Sequence, residues 1–142
     1  MNDAIGDTFT LIQNLTGTAF DDKLTGLAAG GSILTGGAGA DQLIGLGYTA
    51  GNVATANTAN YAGSSSGVTI NLSAVTVDVL NPLGGLAAGA GRGGDAEGDT
   101  LSGIQNLVGS SFNDTFYASS QTNIFNGGVS DASSHNRVVY TN

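Results

Sequence analysis

GTAFDDKLT (residues 17–25), GLAAGGSIL (26–34) and GGAGADQLI (36–44) are nine-residue segments that follow one another almost without a break. The first and third begin with glycine and carry an aspartate sixth and a leucine eighth. The second keeps an apolar residue, Ile33, in the eighth place but has Gly31 where the others have aspartate. Steps of this length suit a short strand and a tight turn, and two steps make one coil of about 18 residues. The sequence therefore predicts a β-solenoid in which like turns stack along one edge.

A longer repetition encloses these segments. Residues 6–26 and 98–118 align without a gap and agree at ten of 21 positions, and SILTGG (32–37) is echoed by NIFNGG (123–128). The second copy contains GSSFNDTFY (109–117), which again has an aspartate sixth and an apolar residue eighth. We therefore divide the 142 residues into a first unit, 1–92, and a second, incomplete unit, 93–142. Within this scheme, solenoid turns occupy 1–47 and an insertion occupies 48–94.

The secondary structure is expected to be β throughout. Glycines interrupt most windows that could form a helix, and no apolar stripe with a 3.6-residue period persists. Val68, Ile70 and Leu72 alternate with polar residues, as in a half-buried strand. The insertion is therefore predicted to be strand-rich, with residues 83–94, LGGLAAGAGRGG, as a flexible glycine-rich loop.

The charges favour a cation as partner. Ten aspartates and one glutamate face only three basic residues, which gives a net charge of -8. This charge argues against nucleic acid as a partner, since phosphates would be repelled. Aspartate favours turns and binds hard cations through oxygen. The chain has no cysteine, so it forms no disulfide and no thiolate metal site. No run approaches the roughly 18 apolar residues of a membrane span.

GGAGADQLI resembles the hemolysin-type calcium-binding repeat of the RTX family, whose pattern is G-G-x-G-x-D followed by any residue and a large apolar one. The segments at 17–25 and 109–117 match the first glycine, the aspartate and the apolar position but lack the inner glycines. The resemblance implies an all-β, right-handed parallel β-roll or β-solenoid with Ca²⁺ in the turns. Leu24, Leu43 and Phe116 are expected to point into the roll.

The resemblance also implies a ligand set. Ca²⁺ takes six to eight oxygen ligands, which carboxylates and turn carbonyls supply. Asp22 and Asp41 are 19 residues apart, one coil plus one residue, so they are expected to flank one ion. Asp7 and Asp99 stand two residues before a large apolar residue and are weaker candidates. The full predicted set is Asp22, Asp41, Asp114, Asp7 and Asp99, with backbone from Gly36, Gly37 and Gly39.

Two other interpretations remain open at the level of residues. These aspartates could simply close turns, as Asp and Asn often do. Asp95, Glu97 and Asp99 alternate and could form a glycosidase acid and base pair, but no aromatic residues surround them to bind a sugar. We predict that the chain is not an enzyme.

For function, the resemblance implies a calcium-binding structural repeat of an extracellular or surface bacterial protein. An adhesin, a surface layer or a filament would fit, folding on Ca²⁺ after type I secretion. The alternative is the non-catalytic module of a secreted enzyme such as a protease, lipase or alginate epimerase. The expected partners are calcium, neighbouring repeats or identical subunits stacked end to end, and a cell-surface or matrix ligand, with no nucleic acid and no membrane span.

Overall fold

The computed structural model describes residues 10–77, 85–128 and 135–141. These residues form β-strands and two 3-10 helices, Val53–Thr55 and Gly94–Ala96, and within them no α-helix occurs. The all-β prediction is therefore confirmed. The strands are β1 Asn14–Thr16, β2 Lys23–Thr25, β3 Ile33–Thr35, β4 Gln42–Ile44, β5 Thr58–Asn60, β6 Thr69–Asn71, β7 Ala90–Arg92, β8 Thr100–Ser102, β9 Asn106–Val108, β10 Thr115–Ala118, β11 Phe125–Asn126 and β12 Arg137–Tyr140.

The strands lie in two sheets, and the chain alternates between them except at β6, β7 and β8, which all lie in sheet B. Sheet A has the order β1-β3-β5-β9-β11, and sheet B has the order β12-β10-β6-β7-β8-β4-β2. Every strand pair is parallel except the two that involve β7. Outside β6 to β8, each turn crosses from one sheet to the other. The sheet B strands other than β7 therefore begin at one edge of the molecule, and the sheet A strands begin at the opposite edge.

The segment 48–94, predicted as an insertion, contributes to both sheets. β5 lies between β3 and β9 in sheet A, and β6 pairs with β10 in sheet B. β6 does not lie beside β4, because β8 and the antiparallel β7 occupy the two intervening positions. Sheet B is thus filled in an order that differs from the order of the chain.

The glycine-rich segment 83–94, expected to be a flexible loop, contains β7, so that prediction is wrong for its described part. A Cβ on Gly91 would lie 2.8 Å from the carbonyl oxygen of Ala96 and 3.2 Å from Cδ1 of Ile70. Glycine therefore lets β7 pass closely over its neighbours, and pairing with β6 and β8 overrides the low strand propensity of the segment.

The core consists of inward-facing residues that stack from strand to strand. In sheet B the register places Leu24, Leu43 and Leu101 in one row, and Leu34 and Leu107 belong to the matching row of sheet A. Leu43 and Phe116 are buried and Leu24 packs partly buried against the same cluster, as the nine-residue pattern predicted. The phenyl rings of Phe116 and Phe125 close the core between the sheets, with centroids 5.5 Å apart.

Candidate metal centre

An aspartate immediately precedes each of four strands of sheet B. Asp22, Asp41, Asp99 and Asp114 stand before β2, β4, β8 and β10, and they are called the carboxylate row below. Because these strands run in the same direction, the four aspartates lie along one edge of the sheet. Asn136 holds the same place before β12. The short strand and tight turn of each nine-residue step position these side chains.

Hydrogen bonds join the row from strand to strand in one direction. The backbone N–H of Asp22 donates to Oδ1 of Asp41 at 2.8 Å, and the N–H of Asp41 donates to Oδ1 of Asp99 at 2.8 Å. Asp41 and Asp99 therefore each accept a hydrogen bond from the equivalent residue of the neighbouring strand. The structure thus brings together Asp22 and Asp41, which were expected to lie side by side, and adds Asp99 to them.

Asp114 is separated from the other three by β6 and β7. Its Oδ1 accepts from the N–H of Val68 at 2.9 Å and from Oγ of Ser110 at 2.8 Å, and its Oδ2 accepts from the Ser110 N–H at 3.0 Å. The N–H of Asp114 donates to Oδ1 of Asn136 at 2.9 Å. Asp114 is therefore flanked by an apolar residue and an amide, whereas Asp41 is flanked by two carboxylates.

The first glycine of each nine-residue step makes room for the aspartate five residues later. A Cβ on Gly36 would overlap Oδ2 of Asp41, and a Cβ on Gly109 would overlap Oδ2 of Asp114. At Gly17 the corresponding Cβ would lie 2.6 Å from Oδ2 of Asp22. The carboxylate folds back over its own turn, so glycine and aspartate are coupled by contact.

The inner glycines allow one turn to stack on the next. Gly37 and Gly39 have positive φ values of +100° and +127°. A Cβ on Gly37 would overlap the carbonyl oxygen of Thr18, and one on Gly39 would lie 2.7 Å from the carbonyl carbon of Phe20. The turn at 36–41 thus packs backbone against backbone on the turn at 17–22, which brings turn carbonyls close to the carboxylate row.

Burial makes the charges of the row costly. Asp41, Asp99 and Asp114 are buried, and Asp22 is half-buried. Burial, together with the neighbouring carboxylate of Asp22, raises the pKa of Asp41. Burial is also the main cause that raises the pKa of Asp99 to about 6. Oδ2 of Asp41 is buried and accepts no hydrogen bond from the described residues. A buried carboxylate oxygen without a partner is unfavourable, and binding of a cation or a proton removes that cost.

Tyr61 supports Asp99 from the core side. Its hydroxyl donates to Oδ2 of Asp99 at 2.8 Å. Burial of the ring, and then the charge of Asp99, raise the pKa of Tyr61 well above its ordinary value, so the hydroxyl remains a donor. Sequence reasoning missed this contact because 38 residues separate the two partners.

The donor chemistry fits a hard cation, although the side chains alone do not complete a site. Within residues 10–77, 85–128 and 135–141, no group of three or more His, Cys, Asp or Glu side chains is gathered closely enough to hold a metal ion. An ion bound at Asp22 and Asp41 would therefore take its other ligands from turn carbonyls, which Ca²⁺ accepts readily. Asp7 lies outside the described residues.

The opposite edge carries a neutral counterpart of the carboxylate row. Ser32 and Asn57 precede β3 and β5, Gln105 precedes β9, and these three residues are called the amide row below. The N–H of Ser32 donates to Oδ1 of Asn57 at 3.0 Å, and the N–H of Asn57 donates to Oε1 of Gln105 at 2.9 Å. The strand-to-strand geometry is the same, but no charge is present.

The two edges together define a class of protein. It is a two-sheet repeat protein with mostly parallel strands, stacked glycine-rich turns and a row of carboxylates on one side. The family of the RTX calcium-binding nonapeptide repeat, with four copies, matches residues 16–47 and 99–131. The chain therefore contains repeats of the RTX calcium-binding type, and repeats of this family bind Ca²⁺. No curated protein and no solved structure matches the chain.

Two properties are typical of RTX repeats, one concerning activity and one concerning location. RTX repeats are typically non-catalytic structural modules and are typical of secreted proteins. In the part of the chain that the structure describes, no helix is long and apolar enough to cross a membrane.

Proposed function

We propose that this chain is a calcium-stabilised structural repeat module of an extracellular or surface bacterial protein, such as an adhesin, a surface layer or a filament. The observation that carries the proposal is the buried Oδ2 of Asp41, which has no hydrogen-bond partner among the described residues. It stands between the carboxylates of Asp22 and Asp99. In this proposal, the two sheets are the two faces of the right-handed parallel β-roll that is expected for the family.

Asp22 and Asp41 are the proposed pair of carboxylate ligands, with Asp99 as the next carboxylate along the row. Gly36, Gly37 and Gly39 contribute backbone, because the turn that they form stacks on the turn at 17–22. Asp114 would bind more weakly, since its neighbours in the row are Val68 and Asn136. Asp7 is retained as a candidate through its repeat-equivalence with Asp99.

Folding on calcium follows from the electrostatics of the row. Parallel strands lie about 4.8 Å apart, so successive ionised carboxylates repel one another in a buried setting. The glycine-rich chain also loses much conformational entropy on folding. A bound Ca²⁺ supplies the positive charge that offsets both costs, and its binding energy then appears as folding energy.

The extracellular setting is supported by the family and by the net charge of -8. In this proposal the chain remains unfolded where calcium is scarce and folds after type I secretion, and a surface or matrix ligand would be its outside partner. The alternative, a non-catalytic module of a secreted enzyme, uses the same chemistry. The repetition of residues 6–26 at 98–118 favours the structural array over that alternative.

The proposal is tested by far-ultraviolet circular dichroism during a calcium titration, with magnesium as the control ion. We expect a cooperative gain of β signal with calcium and little with magnesium. Asp41→Asn should raise the midpoint at least about tenfold, since it removes a ligand charge. Asp21→Asn is the matched control, because exposed Asp21 uses only Oδ1, to accept from the Ala40 N–H at 2.9 Å, and Asn keeps that oxygen. A full β signal in chelator, unchanged by calcium, would contradict the proposal.

A further inference from the structure

The turns at the edge where the sheet A strands begin differ in length. Three residues, 103–105, connect β8 to β9, whereas 13 residues, 45–57, connect β4 to β5 and six residues, 119–124, connect β10 to β11. β9 lies between β5 and β11 in sheet A. The short connection therefore lies between two longer ones, and the depression that it leaves is called the trough below.

A cavity of about 500 Å³ occupies the trough. Small-molecule sites commonly measure roughly 300–1,000 Å³, so the cavity has the size of a ligand site and is too large for a single ion. The side chains that line it are of three kinds, which are apolar, hydroxyl-bearing and amide-bearing. They include Leu101 and Ile104, Tyr48 and Ser120, and Gln105 and Gln121.

The lining of the trough carries no charge. None of the described residues that line it is Asp, Glu, Lys, Arg or His, although the chain has 11 acidic residues and a net charge of -8. An anion would find no positive partner in the trough and would be repelled by the net charge, and a cation would find no carboxylate. The trough therefore suits an uncharged ligand.

The amide row holds one amide of the trough in place. Gln105 is 2% exposed, and its Oε1 accepts from the N–H of Asn57 at 2.9 Å. This contact leaves Nε2 of Gln105 as a donor at the trough, where it bonds to Oε1 of Gln121 at 3.3 Å. No described residue accepts a hydrogen bond from Nε2 of exposed Gln121. The pair thus offers a ligand both amide donors and amide acceptors.

Hydrogen bonds within the protein also shape the wall formed by residues 119–124. Oδ1 of Asn123 accepts from the N–H of Ser119 at 3.0 Å and from its Oγ at 3.1 Å, and Nδ2 of Asn123 donates to the carbonyl of Gln105 at 2.7 Å. The N–H of Gln121 donates to Oγ of Ser119 at 3.2 Å. Because these bonds already order the turn, binding at the trough has little backbone left to order.

The trough does not offer a strand edge to a peptide. β8 pairs with β4 and β7, and β9 pairs with β5 and β11, so both strands that meet at the short connection have neighbours on both sides. An extended peptide could not add to either sheet there, and strand addition is a common way in which a peptide binds to a sheet. A ligand of the trough must instead contact the side chains that line it.

We propose that the trough is a binding site for an uncharged saccharide. Amide groups pair well with sugar hydroxyls, which both donate and accept hydrogen bonds. The ring of Tyr48 and the apolar side chains suit the C–H face of a sugar ring. The hydroxyl of Tyr48 accepts from the N–H of Gly51 at 3.3 Å and keeps its own proton to donate. This inference rests on the proposed function, because it identifies the outside ligand of the surface module as a neutral glycan.

Native gel electrophoresis in millimolar calcium, through gels that contain a soluble polysaccharide, tests the proposal. The neutral probes are dextran, mannan and galactan, and carboxymethyl-dextran is the matched anionic control. We expect slower migration in at least one neutral gel and unchanged migration in carboxymethyl-dextran. Equal slowing by carboxymethyl-dextran, or no slowing in any neutral gel, would overturn the proposal.

Variants test whether the saccharide binds at the trough. Ser120→Trp should abolish the slowing because the indole would fill the cavity, whereas Ser65→Trp, at an exposed serine in the turn before β6, should not. Gln121→Ala should raise the dissociation constant about five- to tenfold through lost hydrogen bonds. Gln42→Ala, at an exposed residue of β4, should leave the constant unchanged. Slowing that is the same in all four variants would place the binding elsewhere and reject the trough.

Two further measurements separate the possible failures. Capture of a mixture of random decapeptides that Ser120→Trp abolishes, without binding of any polysaccharide, would assign the trough to peptides and overturn the saccharide. By circular dichroism, a protein that gains β signal with calcium but is not slowed in any gel rejects the saccharide site and leaves the calcium module standing. A protein whose β signal ignores calcium rejects the calcium module, and the gels then decide on the saccharide alone.

Discussion

At the scale of single residues, the contact between glycine and aspartate explains the nine-residue pattern. The aspartate side chain occupies the space where a Cβ on the first glycine would stand, as at Gly36 and Asp41. The step at 26–34 has no aspartate in the sixth place. There the side chain of Ser32, instead of a carboxylate, lies beside the first glycine, Gly26. The pattern thus records packing in the turn in addition to ligand chemistry.

Gly36→Ala is expected to destabilise the protein by about 2–3 kcal/mol and to weaken calcium binding, because the new Cβ would displace the carboxylate of Asp41. Thermal unfolding in saturating calcium measures the first effect, and a calcium titration by circular dichroism measures the second. Gly63→Ala is the control, since a Cβ on Gly63 has no neighbour within 4 Å and Gly63 is not among the positive-φ glycines. Equal stability of the two variants would contradict the packing account.

The sequence predicts some members of the row better than others. The positions of Asp22, Asp41 and Asp114 follow from local spacing, because each belongs to a nine-residue step. The place of Asp99 beside Asp41 does not, since 58 residues separate them and their strands meet only through tertiary pairing. The roles of all four as calcium ligands stay predictions.

At the scale of elements, the two edges of the molecule join successive turns through side chains of different charge. Most of the strands contain three residues, so much of the stability must come from the bonds that join successive turns. The carboxylate row makes these bonds with charged acceptors, whereas the amide row makes them with neutral ones. The amide row therefore needs no cation.

Asn57→Asp tests this difference. Nδ2 of Asn57 donates to the carbonyl oxygens of Leu46 at 2.9 Å and Gly103 at 3.1 Å, and a carboxylate would face both oxygens without a proton. We expect a loss of about 3 kcal/mol in chemical denaturation, with no recovery in calcium, since Ser32 and Gln105 add no second carboxylate. Asn60→Asp is the control with a smaller expected loss, because Asn60 on β5 is only half-buried and its Nδ2 donates to a hydroxyl, Oγ1 of Thr35. Recovery of Asn57→Asp in calcium would instead place an ion at the sheet A edge.

The position of β7 could not be predicted from sequence. Its residues, AGR, have neither alternation nor strand propensity, and the surrounding glycines indicate a loop. β7 forms a strand because sheet B leaves a space between β6 and β8. By contrast, β2, β4 and β10 each contain the leucine or phenylalanine in the eighth place of its nine-residue step. The local pattern was therefore sufficient to predict these three strands.

At the scale of the whole molecule, the raised pKa values of the row predict an inverted pH dependence in the absence of calcium. The pKa of Asp99 is raised from 3.8 to about 6, and that of Asp41 is raised as well, so the folded state binds more protons than the unfolded state between these limits. Stability without calcium should therefore fall as pH rises from about 4 to 6.

Circular dichroism on dialysed, calcium-free protein measures this dependence, and we expect more β signal at pH 4.5 than at pH 7. In calcium the order should reverse, because protons compete with the ion for the same carboxylates. Asp99→Asn should flatten the calcium-free profile more than Asp21→Asn does, because Asp21 contributes only a lesser charge effect to the raised pKa of Asp41. A calcium-free β signal that rises steadily from pH 4.5 to 7 would show that burial of these carboxylates does not govern stability.

The order in which sheet B is filled also bears on how the chain folds as it leaves the ribosome. When β4 first emerges, the strand that will cover its outer edge is β8, and the chain must first make β5, β6 and β7. Pairing across such a span has high contact order and is slow, because a long loop must close before any contact rewards it. Sheet A, by contrast, grows in chain order from β1 to β11. Sheet A, with the neutral edge, can therefore form strand by strand as the chain is made. Sheet B, with the charged edge, cannot form fully until β8 has been made. We expect the pairing that brings Asp99 beside Asp41 to be the slow step in folding.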